Sequence, residues 1–154
     1  MIEISLEIQP VPKARPRATR TGRVYTPAKT AEYERSIAKL VSHHSALIGA
    51  LALDVVFVLK RPRSRPKSKP HRFFKAGSRG DLDNYIKALL DGLQRGGVVP
   101  NDAAVVQIQA YKVYAALEEL PHIELKLWSL GEEGNFNSSE ERQIARARVS
   151  AVEP

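Results

Sequence analysis

The chain has 154 residues, of which 43% are hydrophobic and 27% are charged, as expected for one folded domain with one core. It has no cysteine, which excludes disulfides, thiolate nucleophiles and cysteine-ligated zinc, and its formal net charge of +7 favours an anionic partner such as a nucleic acid. The N-terminal sequence lacks the basic start and long apolar run of a signal peptide, and no stretch approaches the roughly 20 apolar residues of a transmembrane helix, so we expect a cytoplasmic protein.

The first third of the chain predicts a strand, a helix and a second strand. Residues 2–9 alternate strictly between apolar and polar, which is typical of a strand with one buried face. Apolar residues at three- and four-residue steps predict a helix from Thr30 to Ile48, ended by Gly49. Residues 51–59 are rich in β-branched side chains and predict a central strand.

Two proline-containing segments, residues 10–29 and 60–80, carry most of the positive charge. They hold six and nine Lys and Arg residues, 15 of the 24 in the chain, and no acidic residue. Thr21-Gly22 predicts a short hairpin turn in the first segment. The clustering favours a nucleic-acid surface over a basic surface that is merely solvated. The predicted nucleic-acid-binding residues are Lys13, Arg15, Arg17, Arg20, Arg23, Arg61, Arg63, Arg65, Lys67, Lys69, Arg72, Lys75 and Arg79.

Two finer expectations concern residues 60–80. Neutralising Arg61, Arg63 and Arg65 together is expected to weaken nucleic-acid binding and flatten its salt dependence, because fewer counterions would be released from phosphates. The aromatic pair Phe73-Phe74 has two interpretations that the sequence leaves open. It either stacks on bases at a branch or anchors the segment to the body of the domain.

The second half of the chain predicts a helix followed by two strands. Residues 81–93 form an amphipathic pattern that Asp81 can cap and that Gly96-Gly97 ends. Strands are predicted for residues 104–114 and 121–128. The order β-α-β-α-β-β predicts a single α/β domain over residues 1–130, with helices packed on a small mixed sheet and long basic loops. Residues 131–154 form a polar C-terminal tail, which is expected to lie outside the core and to be partly disordered.

The predicted helix 81–93 carries an acidic motif. Asp81 and Asp83 lie at its start and Lys87 follows Asp83 on the same face, while Asp102 begins the next strand. Three carboxylates without His or Cys suit magnesium or manganese, and Lys87 could orient water or stabilise negative charge during phosphodiester hydrolysis. Asn84 and Asp91 would support the site. The alternative is helix capping and salt bridges on a solvated face, and whether Asp102 reaches the other two carboxylates depends on the strand order.

Three segments together resemble the RusA family of Holliday-junction resolvases, which are crossover junction endodeoxyribonucleases. They are D-L-D-N-x-x-K-x-x-x-D-x-L at residues 81–93, N-D-A-A-V-V at residues 101–106 and Y-K-V-Y at residues 111–114. The resemblance covers residues 1–130. It implies a symmetric homodimer that nicks two opposed strands of a four-way DNA junction, in DNA recombination and repair. It also implies Mg²⁺ or Mn²⁺ held by Asp81, Asp83 and Asp102, and a catalytic lysine at Lys87.

Two other functions stay open at this point. The chain could be a non-catalytic basic nucleic-acid-binding protein, which would bind in a salt-sensitive way without a metal-dependent product. It could also be a flap or single-strand nuclease that uses the same acidic residues. Neither a small-molecule cofactor nor a membrane is expected as a partner.

Overall fold

The computed structural model describes residues 1–15, 17–25, 27–77 and 80–130. These ranges contain six strands and two α-helices, with a short 3-10 turn at Asp102–Ala104. In chain order the elements are β1 (Ile2–Leu6), β2 (Arg17–Ala18), β3 (Val24–Tyr25), α1 (Ala28–Val41), β4 (Leu51–Leu59), α2 (Leu82–Arg95), β5 (Val105–Tyr114) and β6 (His122–Ser129). None of the helices in these ranges has the length and apolar character needed to cross a bilayer.

Four of the strands form one mixed sheet in the order β1-β6-β4-β5. β4 and β5 are parallel, whereas β6 is antiparallel to both β1 and β4. All nine residues of β4 are buried, which confirms the predicted central strand. β2 and β3 form a separate hairpin, and Gly22 in its turn has a φ of +81°, so the hairpin predicted at Thr21-Gly22 is confirmed.

Both helices cover the same face of the sheet. Leu53, Val55 and Phe57 of β4 belong to one buried cluster with side chains of α1 and α2. The alternate residues of β4 belong to a smaller cluster on the opposite face, with Val113 and Ala115. The structure therefore confirms an α/β domain with helices packed on a small mixed sheet.

The two helices run parallel to each other and meet closely at two glycines. A Cβ on Gly92 would lie 2.7 Å from Ile37, and a Cβ on Gly96 would lie 2.5 Å from Val41. Because β4 and β5 are parallel, α2 returns the chain from the end of β4 to the start of β5. Both helices therefore begin at the end of the sheet where β4 and β5 finish, which we call the basic end because residues 60–77 leave β4 there.

The first helix is shorter than the periodicity predicts, so its predicted end at Ile48 is wrong. α1 ends at Val41 with Ser42 as its C-cap, although apolar residues continue at helical spacing. The backbone N–H of Leu47 donates to the carbonyl of Val98 at 3.0 Å, so tertiary pairing replaces the last helical turns. Ile48 is exposed, and Gly49, with a φ of +83°, lies in the turn into β4 instead of capping the helix. The tail 131–154 lies outside the described residues.

Candidate acidic site and basic surface

Asp81 and Asp83 both lie exposed at the start of α2, at the basic end of the fold. Asp81 occupies the N-cap position in an extended conformation, but its side chain makes no capping hydrogen bond. Its backbone carbonyl accepts from the N–H of Asn84 at 3.0 Å and begins the helix. The predicted capping role of the Asp81 side chain is therefore wrong.

Lys87 lies one helical turn after Asp83, as the spacing predicts. Its Nζ is 3.6 Å from Oδ2 of Asp83, and the two side chains are 63% and 64% exposed. An exposed pair with this spacing contributes at most about 0.5 kcal/mol to stability. The ion pair therefore contributes little to the stability of the fold, and both side chains remain accessible to a ligand.

The backbone that precedes Asp81 is held from two sides. Gly80 has a φ of +81°, and a Cβ there would lie 2.8 Å from Pro12 and 3.0 Å from Tyr85. Nζ of Lys112, on β5, donates to the carbonyl oxygen of Gly80 at 2.6 Å. The same ammonium group lies 5.7 Å from the ring centroid of Tyr85. The direction of the chain into Asp81 is thus fixed by contacts with β5 and with the first basic segment.

Sequence patterns did not identify Lys112 as a site residue. It lies within a strand, seven residues after Val105, and nothing in its neighbourhood along the chain points to α2. The signal that could have found it is that Lys112 is the one charged residue of β5 and lies within the Y-K-V-Y segment. Its contact with Gly80 depends on the packing of β5 beside α2.

Asp102 lies at the other end of β5. It begins the 3-10 turn before the strand, where the side chain of Asn101 accepts a hydrogen bond from the N–H of Ala104 at 3.0 Å. Val105 and Lys112 are separated by about 23 Å at about 3.3 Å per residue. Since Lys112 contacts Gly80, Asp102 lies far from Asp81 and Asp83 in one chain. The single chain brings two of the three predicted carboxylates together but not the third.

Asp91 and Asn84 connect α2 to the first basic segment. Lys13 forms an ion pair with Asp91, and the backbone N–H of Lys13 donates to the carbonyl of Asn84 at 2.9 Å. Both side chains of the ion pair are about one-third exposed. Lys13 thereby holds residues 10–15 against the helix.

The second basic segment is fastened to β6 through Arg72. Nε of Arg72 donates to Glu119 at 2.9 Å, and Nη2 donates to Glu124 at 2.6 Å. Nε2 of His122 lies 3.0 Å from the same Glu124 carboxylate, while its Nδ1 lies 2.8 Å from the carbonyl oxygen of Leu120. We call Arg72, Glu119, His122 and Glu124 the arginine cluster.

Titration of the arginine cluster is governed by these contacts. Partial burial by itself would raise the pKa of Glu124, but hydrogen bonds from Arg72 and His122 and their charges hold that pKa below its ordinary value of 4.5. Burial would also raise the pKa of Glu119, but hydrogen bonds from Arg72 and the backbone N–H of Ala116, with the charges of Arg72 and His122, lower it. Burial would lower the pKa of His122, yet the bonds to Leu120 and Glu124 raise it above 6.5. Near neutral pH, both carboxylates of the cluster are therefore ionised beside the positive charge of Arg72.

Three ligand atoms of this cluster also lie close enough together for a metal site. In the described part of the chain, Glu119, His122 and Glu124 form the one group of three carboxylate or imidazole ligands within 4.8 Å of one another. The guanidinium of Arg72 already binds both carboxylates, and its fixed positive charge opposes a cation there. We interpret the group as a structural ion-pair cluster.

Phe73 is the anchor of the second basic segment. It is buried, its ring stacks on Tyr114 with centroids 5.1 Å apart, and the two residues exchange backbone hydrogen bonds at 3.0 and 3.3 Å. Arg65 lies over the Phe73 ring at 4.1 Å. Arg61 donates to the carbonyls of Pro66 at 3.0 Å and Lys69 at 2.8 Å. Of the two interpretations of the aromatic pair, anchoring thus applies to Phe73, whereas Phe74 is 50% exposed.

The predicted nucleic-acid-binding residues fall into three groups. Lys13, Arg61, Arg65 and Arg72 are engaged in contacts within the domain. Arg79 and the side chain of Arg17 lie outside what the structure describes. The exposed cations of the two segments are Arg15, Arg20, Arg23, Arg63, Lys67, Lys69 and Lys75, with Lys29 and Lys60 as two further ones that were not predicted.

Comparison with known proteins gives two matches. The sequence model of the family described as Endodeoxyribonuclease RusA matches residues 7–127. A curated relative, the Crossover junction endodeoxyribonuclease RusA of Aquifex aeolicus (strain VF5), is 27% identical over 118 residues, which cover 72% of this chain and 79% of the relative. The range matched by the family contains Asp81, Asp83, Lys87 and Asp102.

Proposed function

The chain belongs to the RusA family of endodeoxyribonucleases, and from this membership we propose that it resolves four-way DNA junctions by paired, symmetric, metal-dependent nicks. One observation carries the proposal beyond the family. Asp81 and Asp83 lie exposed at the start of α2 without a capping role, beside Lys87, at the end of the fold from which the basic segments extend. Exposed carboxylates beside a cationic surface suit phosphodiester hydrolysis better than binding alone.

Asp81 and Asp83 would hold a magnesium or manganese ion, because carboxylate oxygens without His or Cys form a hard-oxygen site. The metal would activate water and neutralise charge on the phosphate oxygens. Lys87, 3.6 Å from Asp83, can orient the attacking water or donate to a phosphate oxygen as negative charge develops. The exposed cations would hold the DNA backbone through phosphate contacts.

We further propose a homodimer that brings Asp102 of a second copy to Asp81 and Asp83. β5 is an edge strand of the described sheet, where Phe73 pairs with it at its last residue, Tyr114. Val106 and Ile108 near its start are 63% and 41% exposed. In a two-fold antiparallel arrangement of two β5 strands, the start of each lies beside the end of the other. That arrangement supports Asp102 as a ligand, although a single chain places it at the far end of the strand.

The central test compares cleavage of a synthetic four-way junction with cleavage of a matched linear duplex, in Mg²⁺, in Mn²⁺ and in EDTA. We expect paired nicks in the junction that need the metal and that Asp83→Asn abolishes, while junction binding survives. Glu32→Gln is the matched control, since it removes another exposed carboxylate, on α1, that belongs to neither the acidic motif nor the basic segments. Binding without cleavage in either metal would favour a non-catalytic binding protein, and preference for flaps or single strands would favour another nuclease.

The position of Asp102 has its own test, complementation between inactive variants. Asp83→Asn and Asp102→Asn are each expected to be inactive alone. If the second copy supplies Asp102, a mixed dimer contains one doubly altered site and one intact site, so mixing restores nicking of one strand. If each chain builds its own site, both sites of the mixed dimer stay damaged and mixing restores nothing.

A further inference from the structure

The second basic segment forms an open concavity that none of the proposed catalytic residues lines. Its volume is about 340 Å³, which is within the range of small-ligand sites. Pro62, Pro66 and Phe74 form apolar walls, while Arg65 and Lys75 contribute the cationic groups. Phe73 also lines it, and the stack of Phe73 on Tyr114 joins this concavity to the sheet.

Arg65 lines the concavity, and its guanidinium offers a flat surface on which a ring can stack. The guanidinium lies over the Phe73 ring, with Cζ 4.1 Å from the centroid. Its Nε is buried and has no hydrogen-bond partner among the described residues. Protein acceptors therefore do not saturate the guanidinium, and a planar ligand that enters the concavity can stack beside it.

Phe74 supplies the second surface. It directly follows the anchored Phe73, it is 50% exposed, and it lines the concavity together with the two prolines. A site for phosphate alone would need no apolar walls. A site for an apolar ligand would not be expected in residues 60–77, which hold eight Lys and Arg residues and no acidic residue.

We propose that this concavity accepts one unpaired or unstacked base of branched DNA, with the base against Arg65 and Phe74 and an adjoining phosphate on Lys75. The inference rests on the proposed function in taking DNA as the ligand. Flat heteroaromatic rings stack on aromatic and guanidinium surfaces in a sequence-tolerant way, and the nearby cations attract the attached phosphates. The site would favour DNA in which one base has left the helical stack.

The test measures binding of the full chain to two duplexes in EDTA, which keeps the DNA intact. One duplex carries a single bulged thymine, and the other carries a bulged abasic nucleotide at the same place. We expect wild type to bind the thymine bulge about tenfold more tightly, because the thymine can stack in the concavity and the abasic nucleotide cannot. Phe74→Ala is expected to bind both duplexes alike, at the abasic level.

Two controls separate the pocket from other effects. Leu117→Ala removes another exposed apolar side chain, outside the concavity, and should keep the tenfold preference. Lys67→Gln removes one exposed charge from the same segment and should weaken binding to both duplexes equally. Thermal unfolding of Phe74→Ala verifies that the variant folds, and Lys75→Gln, which should weaken binding to the thymine bulge more than Lys67→Gln does, gives a second pocket variant.

The outcomes for the pocket and for the nuclease are distinguishable. Equal affinity of wild type for the two bulges, or an unchanged preference in Phe74→Ala, would overturn the base pocket. Junction cleavage in Mg²⁺ by the same wild-type preparation reports the proposed function separately. A preference for the thymine bulge without junction cleavage would support the base pocket and contradict the proposed resolvase function. Junction cleavage without this preference would support the resolvase function and contradict the base pocket.

Discussion

Lys112 and Gly80 determine at the scale of single residues how the chain enters the acidic helix. The ammonium group of Lys112 binds the Gly80 carbonyl at 2.6 Å, and Pro12 and Tyr85 leave no room for a side chain at Gly80. Asp81 follows directly. Its carboxylate is exposed, so its position depends on how firmly this short stretch of backbone is held.

Lys112→Met is expected to lower the cleavage rate between about tenfold and 100-fold, because the charged hydrogen bond that it removes contributes about 1.5–3 kcal/mol to holding Gly80. Junction affinity should change little, and Lys112→Arg should restore part of the rate. Single-turnover cleavage at several Mg²⁺ concentrations measures the effect, with a rise in the Mg²⁺ requirement expected. Lys126→Met, which removes a lysine near the Trp128 ring, is the control. Equal decreases in both variants would contradict a positioning role for Lys112.

Gly80→Ala is expected to destabilise the domain by about 1–3 kcal/mol more than Gly77→Ala does, as overpacking usually costs. Both glycines have positive φ, so both variants share the backbone strain. A Cβ at Gly80 meets Pro12 at 2.8 Å, whereas one at Gly77 has nothing within 4 Å. Chemical denaturation of the two variants isolates the steric part. Equal free energies of unfolding would mean that Pro12 and Tyr85 move away easily.

The arginine cluster governs, at the scale of elements, how the second basic segment is attached to the sheet. Arg72 joins that segment to Glu124 on β6, and Phe73 joins it to the end of β5. A loop rich in lysine and proline does not pack by itself, so these two attachments give it a defined shape. Between α1 and α2, the close contact depends instead on two glycines. Gly92 and Gly96 lack a side chain, which lets the helices approach each other at Ile37 and Val41.

The stability that the arginine cluster contributes should depend on pH in two opposite ways. The pKa of Glu124 is lowered on folding, so its contribution is present above the ordinary carboxyl pKa of 4.5 and is lost as the pH falls. The pKa of His122 is raised, so its contribution is present below 6.5 and is lost as the pH rises through the raised value. Chemical denaturation between pH 4 and pH 8.5 measures both contributions. Each is the difference in free energy of unfolding between wild type and a variant of Glu124 or His122.

Glu124→Gln is therefore expected to cost most stability near neutral pH and progressively less as the pH falls below 4.5. His122→Asn should cost more at about pH 5.5 than at about pH 8.5. Glu32→Gln removes an exposed carboxylate on α1 and controls for the change of net charge. A difference for Glu124→Gln that grows toward acid pH would contradict the ion-pair cluster.

Charge is distributed unevenly over the whole molecule. The helix starts, with Asp81 and Asp83, share one end of the molecule with the ends of β4 and β5 and with the second basic segment, which carries exposed cations. Arg61 and Arg65 also lie in this segment, but they contact its own carbonyls and Phe73. Neutralising Arg61, Arg63 and Arg65 together is therefore expected both to weaken phosphate binding and to disturb the structure of the loop.

The set Arg63, Lys67 and Lys69 is a cleaner test, since all three side chains are exposed. Their joint change to Gln is expected to weaken junction binding and to reduce the slope of log K against log salt by up to about 0.9 for each phosphate that is no longer bound. Binding titrations over a range of salt concentrations measure the slope. Changing Arg35, Lys39 and Arg95 to Gln alters the net charge equally on exposed positions of the helices and should leave the slope nearly unchanged. Equal slopes for the two triple variants would exclude the second basic segment as a phosphate surface.

The sequence by itself determined the class of fold, the positions of β4 and α2, the hairpin at Gly22, the acidic residues and the clustering of positive charge. These follow from residue types and from periods of 2 and 3.6 residues, which are local properties of a chain. The tertiary structure alone decided that α1 ends at Val41, that Arg72 is bound by Glu119 and Glu124, that Lys112 meets Gly80 and that Asp102 lies at the far end of β5. Each of these depends on strand order and on contacts between residues distant in sequence, which local patterns do not contain.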